Sequence, residues 1–352
     1  MVNKERLTFA LVGAGNIAGF HAQAIEQVEG ARLAAVCTRS PETGGRFAKE
    51  HGCDYVASLE ELLARSDIDA VAITTPSGTH ADIGIQAARA GKHVLCEKPI
   101  DVYLEKIDAL IEACELNGVH LGAIFQSRTG EGARALKKAV DEGRFGKMTQ
   151  CSAFIPWYRS TEYYASSDWR GTWRLDGGGA LMNQGIHAID LLLWLAGEVI
   201  EVSGCCQTRV HLGIEVEDNA AAWLRFAGGG LGIIQGSTCS YPGHGKRIEI
   251  LGERGSAILE DDVIKTWDFS EERPEDEEIL HPDKRSGIGG GSSDPTAISA
   301  EGHRRQYADF VSAVLGGKGS LVSGREARKP VELITAIYRS SREKAIVRLM
   351  KE

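Results

Sequence analysis

LTFALVGAGNIA, Leu7 to Ala18, is a short apolar run closed by glycines and followed at once by helical spacing through Ile17, His21, Ala24, Ile25 and Val28. Gly13, Gly15 and Ala18 stand in the G-x-G-x-x-G/A pattern. The first glycine serves the tight turn. The second lets the backbone come close to a pyrophosphate, and the small Ala18 lets helix and strand pack closely. The new helix N-terminus, with Asn16 and Ile17, attracts phosphate. A strand before the loop and a helix after it are the context the pattern needs. The spacing therefore predicts a dinucleotide-binding turn, with Gly13, Gly15, Asn16 and Ile17 as its cofactor contacts.

Working outward, strand and helix patterns alternate. ARLAAVCT (Ala31–Thr38), IDAVAITTP (Ile68–Pro76) and HVLCEKP (His93–Pro99) read as strands, with helical segments between them. That alternation predicts a doubly wound parallel sheet over residues 1–124. Ligands of such sheets bind beyond the carboxyl ends of the strands. Thr38, Arg39 and Ser40 end the second strand, where an NAD enzyme usually carries an acid. Two hydroxyls and a guanidinium suit a 2′-phosphate, so the reading leans slightly to NADP over NAD. Thr75 and Pro76 end the next long strand. His80 either touches the cofactor or caps its own helix. Glu97 and Lys98 end the following strand, and the proline at 99 restrains Lys98 to extended backbone. Gln126, just past VHLGAIF, completes the cofactor-side candidates.

After residue 124 the pattern changes to longer alternating runs joined by glycine-rich turns, such as NAAAWLRFAGG and KRIEILGERGSAILEDD. These predict a large open antiparallel sheet in an α+β domain over 125–352. A broad face with few covering helices predicts a homodimer or homotetramer through that sheet. Within this half, DGGGALMNQGIHAIDLLLWLAG reads as a buried helix carrying Asn183 and His187 one turn apart, with Asp190 beyond. His187 is either a core histidine bonded to Asp190 or a functional one. GIGGGSSDPTAISAEGH, Gly287 to His303, is a low-complexity loop, read as an insertion or a lid.

Composition excludes several classes. With 352 residues, 43% hydrophobic and 25% charged, the chain is ordinary globular protein of two-domain length. A net charge of -9 offers no global basic field to nucleic acid. No run reaches the roughly 20 apolar residues of a membrane span. The eight cysteines form no Cys-x-x-Cys pair and sit mostly in apolar runs, which points to a reduced, cytoplasmic protein. The histidines lack metal-ligand spacing, so no metal is expected.

GAGNIA with His21, TPSGTH (Thr75–His80), GKHVLCEKP (Gly91–Pro99) and GGGALMNQGIHAID (Gly177–Asp190) together resemble the Gfo/Idh/MocA oxidoreductases, in order and over nearly the whole chain. The resemblance implies a Rossmann domain followed by an open-faced α/β domain. It implies hydride transfer between NAD(P) and a secondary alcohol or ketone of a sugar, sugar derivative or nucleotide sugar. Lys98, His187 and Asn183 are the implied catalytic-site residues, with Lys98 and His187 as the two that handle protons. Asn183 replaces the family's aspartate; it can orient substrate but cannot act as an anionic base. Arg128 would help position substrate, and Trp169 and Arg170 would close over the cofactor. YRSTEYYASSDWRGTW (Tyr158–Trp173) is similar to the branch that oxidises UDP-N-acetylhexosaminuronates. Two other readings fit the same resemblance. One is an NAD-dependent glycosidase working by transient oxidation and elimination, and the other is a noncatalytic cofactor sensor.

Overall fold

The computed structural model describes residues 5–280, 291–293, 299–317 and 319–349. The chain divides into two compact units. The first comprises Met1–Phe125 and Ala300–Arg328, the second Gln126–Ser299 and Lys329–Glu352.

The first unit holds a six-stranded sheet of β1 (Leu7–Val12), β2 (Ala31–Cys37), β3 (Asp54–Val56), β4 (Ala70–Ile73), β5 (His93–Cys96) and β6 (Leu121–Ala123). The order is β3-β2-β1-β4-β5-β6 and every pair is parallel. This is the doubly wound order, with its switch point between β1 and β4. All four residues of β4 are buried, as a strand covered on both faces requires. Two of the intervening helices start on side-chain caps: Ser40 Oγ accepts the Thr43 amide at 3.2 Å and Ser58 Oγ accepts the Glu61 amide at 3.1 Å. The helix Glu301–Gly316 belongs to this unit, although the sequence assigned it to the second half. Its Tyr307, Phe310 and Val311 join Phe9, Leu11 and Ile25 in one core. Nothing in the local pattern of that helix says which sheet it will cover.

The second unit holds an eight-stranded sheet. Its strands are β7 (Met148–Pro156), β8 (Val199–Gln207), β9 (Asn219–Phe226), β10 (Leu231–Ser237), β11 (Arg247–Gly252), β12 (Gly255–Glu260), β13 (Val263–Phe269) and β14 (Val347–Arg348). The order is β13-β12-β11-β7-β10-β9-β8-β14. The sheet is mostly antiparallel, as expected, but β7 and β10 pair in parallel. Between them the chain makes a long excursion through helix and hairpin, which is the crossover a parallel pair needs. Ala220, Ala222, Leu224 and Phe226 of β9 are buried, while Ala221, Trp223 and Arg225 between them face outward. The apolar helix Ile186–Ala196 packs on β7 and β11. The expected loop at Gly287–His303 lies mostly outside the described residues.

Candidate active site

The glycine turn is built as the motif demands. Gly13 has φ +105°, and a Cβ there would sit 2.8 Å from the Thr74 backbone. Thr74, at the exit of β4, donates from Oγ1 to the Val12 and Gly13 carbonyls, both at 3.1 Å. A Cβ on Gly15 would meet nothing within 4 Å, so that backbone faces open space at the start of the helix Asn16–Glu26. Such a cradle fits a pyrophosphate. Beside it lies a small cavity lined by Gly15, Asn16, Gly19, Thr43 and Arg46. The sequence did not single out Arg46; no motif marks it, and only the fold brings it to the glycine turn.

At the end of β2, Arg39 and Ser40 are exposed and Thr38 is half-buried. The Ser40 hydroxyl is engaged with Thr43 as a helix cap. Thr75 shares a 2.8 Å hydroxyl contact with Thr79. His80 is buried, with Nδ1 2.7 Å from the Pro99 carbonyl and Nε2 2.7 Å from the Thr75 carbonyl. It ties the exits of β4 and β5 together, a third role beyond the two considered from sequence. Lys98 is half-buried at the exit of β5, and its peptide bond to Pro99 is cis.

Glu97 turns inward. Its Oε1 lies 2.9 Å from His21 Nε2 and 3.3 Å from His303 Nε2, and its Oε2 accepts the Lys98 amide at 3.0 Å. These three side chains bring potential ligand atoms within 4.8 Å of one another. The sequence offered no such cluster, because the partners lie 76 and 206 residues apart.

In the second unit, Ala180–Gly185 forms a π-helical turn that leads into the helix Ile186–Ala196. Irregular turns of this kind are frequent at functional sites. His187 stands in the first turn of the regular helix, 8% exposed. Asn183 Nδ2 donates to the buried Asp176 carboxylate, and Asn183 Oδ1 accepts from Gln184 Nε2 at 2.7 Å. Gln184 in turn donates to the Tyr163 hydroxyl at 2.9 Å and accepts from Arg159 Nε at 3.0 Å. Asp176 and Glu217 were both missed from sequence. Glu217 is buried and accepts the Gly179 and Leu181 amides at 3.1 and 2.8 Å, so it holds the entry to the π turn. Burial pushes its carboxyl pKa up to about 7, against hydrogen bonds that pull the other way.

Two expectations change. Arg128 does not offer its guanidinium to substrate: it is 2% exposed and locked to Asp190 by Nε–Oδ2 at 2.8 Å and Nη2–Oδ1 at 2.6 Å. Burying that guanidinium demands a bidentate carboxylate, which is why Asp190 pairs with it. Arg170 lies 4.3 Å from the Tyr163 ring centroid and 5.6 Å from that of Trp169, and it donates to the Tyr163 carbonyl at 3.2 Å. The side chains expected to close over the cofactor are thus stacked on one another. Gln126 is half-buried at the start of the second unit.

Comparison with known proteins agrees with this geometry. Residues 7–125 match an oxidoreductase family with an NAD-binding Rossmann fold, and residues 133–258 match the GFO/IDH/MocA C-terminal domain. The crystal structure of the WlbA dehydrogenase from Bordetella pertussis, in complex with NADH and UDP-GlcNAcA, superposes with a TM-score of 0.91 at 33% identity, covering 100% of both chains. An inositol 2-dehydrogenase from Rhizobium meliloti is 29% identical over 96% of this chain and 97% of its own length. Another, from Rubrobacter xylanophilus, is 31% identical over 72% of this chain and 71% of its own. The glycine turn at the end of β1, the Glu97-Lys98 exit of β5 and these matches across both units lead to one conclusion: the chain belongs to the GFO/IDH/MocA family of oxidoreductases.

Proposed function

We propose that this oxidoreductase moves a hydride between NAD(H) and a secondary alcohol of a nucleotide sugar of the UDP-N-acetylhexosaminuronate type. The observation that carries the reading is the motif set in its structural setting. The glycine turn and Lys98 stand at the carboxyl ends of β1 and β5, in a chain that follows a UDP-GlcNAcA-bound dehydrogenase over its whole length. NAD(H) is favoured over NADP(H) because the Ser40 hydroxyl is taken by its helix and that relative holds NADH. Arg39 then stacks on adenine, not on a 2′-phosphate.

Held at the turn of Gly13 and Gly15, NAD+ would supply the acceptor for the hydride of the alcohol carbon. His187 takes the hydroxyl proton, a task for which an imidazole is suited near neutral pH. Lys98, as ammonium, hydrogen-bonds the same oxygen and stabilises its developing negative charge. In the reverse direction Lys98 polarises the ketone and His187 returns the proton. Asn183, already held by Asp176 and Gln184, presents a fixed amide to the substrate hydroxyls.

The outward face of the second sheet supports a homo-oligomer. Leu231, Ile233 and Trp223 are 52%, 48% and 38% exposed on adjacent strands. That is a contiguous apolar patch, which a second copy of the chain would bury. Among the described residues no helix is long and apolar enough to cross a membrane.

The test is a spectroscopic assay of nicotinamide reduction, run with NAD+ and NADP+, on UDP-GlcNAcA and on inositol. NADH formation on UDP-GlcNAcA supports the reading. NADH formation on inositol alone moves the substrate to cyclitols. NADPH formation alone restores the lean to the 2′-phosphate, and no reduction of either cofactor sinks the proposal.

A further inference from the structure

Beneath Lys98 lies a closed polar cluster that the proposed chemistry does not use. His21 comes from the helix Asn16–Glu26, Glu97 from the exit of β5, and His303 and Tyr307 from the helix Glu301–Gly316, one turn apart on one face. All four are buried, and Tyr307 and His21 are wholly so. Burial raises the Glu97 pKa, but the hydrogen bonds from His21 and His303 outweigh it and leave the group well below the usual carboxylate range. Burial lowers the pKa of His21. The cluster is therefore an ionised carboxylate beside a neutral His21 imidazole.

The bonding order follows. An ionised carboxylate only accepts, so His21 donates from Nε2 to Glu97 Oε1. His21 Nδ1 then accepts from the Tyr307 hydroxyl at 2.7 Å. His303 adds the second Nε2 donor at 3.3 Å. Both donors converge on Oε1, so Oε2 is aimed at the Lys98 amide at 3.0 Å. Glu97 donates its own amide to the Ile73 carbonyl at 3.0 Å, and Ile124 donates to the Cys96 carbonyl at 2.9 Å. The sheet thus holds the Cys96–Glu97 peptide, and the Glu97 carboxylate holds the amide of the next one, which carries Lys98.

A metal is a poorer occupant of this cluster. Ligating imidazoles usually have their other nitrogen held by a partner. His303 Nδ1 is buried without one among the described residues.

We propose that His21, Glu97, His303 and Tyr307 are positioning residues that fix the Glu97–Lys98 peptide and so aim the Lys98 ammonium. The Glu301–Gly316 helix is then a working part of the cofactor-side unit as well as a cover for its core. The proposal rests on the reading that Lys98 acts on the substrate oxygen.

The test is a double-mutant cycle on the full chain. Tyr307→Phe, His303→Gln and Glu97→Gln are each made alone and with Lys98→Ala. Steady-state kcat and KM are measured on UDP-GlcNAcA or inositol, whichever supports turnover, with NADH affinity and the thermal midpoint alongside. Glu97→Gln keeps an acceptor for the histidines and loses the Lys98 amide contact, so it should cost most. Each single variant should lower kcat about tenfold or more, with KM and NADH affinity little changed. In the Lys98→Ala background the same changes should cost almost nothing. Equal losses in both backgrounds, or normal kcat in Tyr307→Phe and Glu97→Gln, would overturn the positioning role. If Lys98→Ala itself keeps full turnover, the reading of Lys98 falls first. Stoichiometric zinc in the purified protein would replace positioning with a structural metal site.

Discussion

Glu217 Oε1 accepts the Leu181 amide at 2.8 Å across 36 residues of chain, and the same oxygen accepts the Tyr338 hydroxyl at 2.8 Å. One buried carboxylate, which also accepts the Gly179 amide, thereby fastens the end of the Gly177–Gly179 run and the start of the π-helical segment that carries Asn183. Its chemistry makes the second unit sensitive to pH. In the folded chain its pKa is about 7, against 4.5 for an ordinary glutamate. The folded state therefore holds a proton that the unfolded state releases between those values. The stabilisation is complete below about pH 4.5 and is lost as pH rises through about 7, worth up to about 3 kcal/mol. Glu217→Gln should flatten this limb. It should also cost stability at low pH, because its amide faces the Gly179 donor. Denaturant titrations of both proteins between about pH 4 and pH 8 read this directly; parallel curves would show that Glu217 does not set the slope.

Lys98→Ala and His187→Ala should each lower kcat by about a hundredfold to ten-thousandfold. Neither should disturb the glycine turn, so NADH affinity should hold. Stopped-flow hydride transfer and cofactor fluorescence separate the two effects. Near-normal turnover in either variant would remove that residue from the mechanism.

Arg128→Ala should unfold the second unit more easily without acting through substrate affinity. It removes the bidentate partner of the buried Asp190 carboxylate, a loss of about 3–5 kcal/mol. Replacing both residues with apolar ones should recover much of it. Urea melts of the single and double variants test this, and a raised KM with unchanged stability would return Arg128 to the substrate.

Asn183→Asp restores the residue type usual in the family, yet here it should not be benign. It would set a second carboxylate against Asp176, which now accepts from the Asn183 amide. Two carboxylates sharing one site force one pKa upward. The variant should lose stability relative to the parent as pH rises from about 5 to about 8. A thermal midpoint that follows the parent across that range would show that Asp176 can turn away.

Gly13→Ala should abolish cofactor binding or folding of the first unit. The added carbon meets the Thr74 backbone, which cannot give way without moving β4, and the φ of +105° is itself strained for alanine. NADH titration and circular dichroism distinguish the two outcomes. Normal binding would contradict the close approach.

Local pattern alone determined much of this protein. The glycine turn, the alternation of strands and helices, and the Lys98 exit of β5 are all written within a few residues, because turn chemistry and periodicity act over that range. The parallel pairing of β7 with β10 was not legible, since nothing in either strand names so distant a partner. Nor was the fate of the polar residues. Arg128 was read as a substrate contact and is the partner of Asp190; Asn183 was read as a residue that orients substrate, and its tie to Asp176 was not foreseen. His21 was a motif letter, and it became the centre of a cluster whose other members arrive from β5 and from a helix near the far end of the chain. Only tertiary structure decides such partners. A buried charge or donor must find its complement wherever the fold brings one, and that search runs through space, not along the sequence.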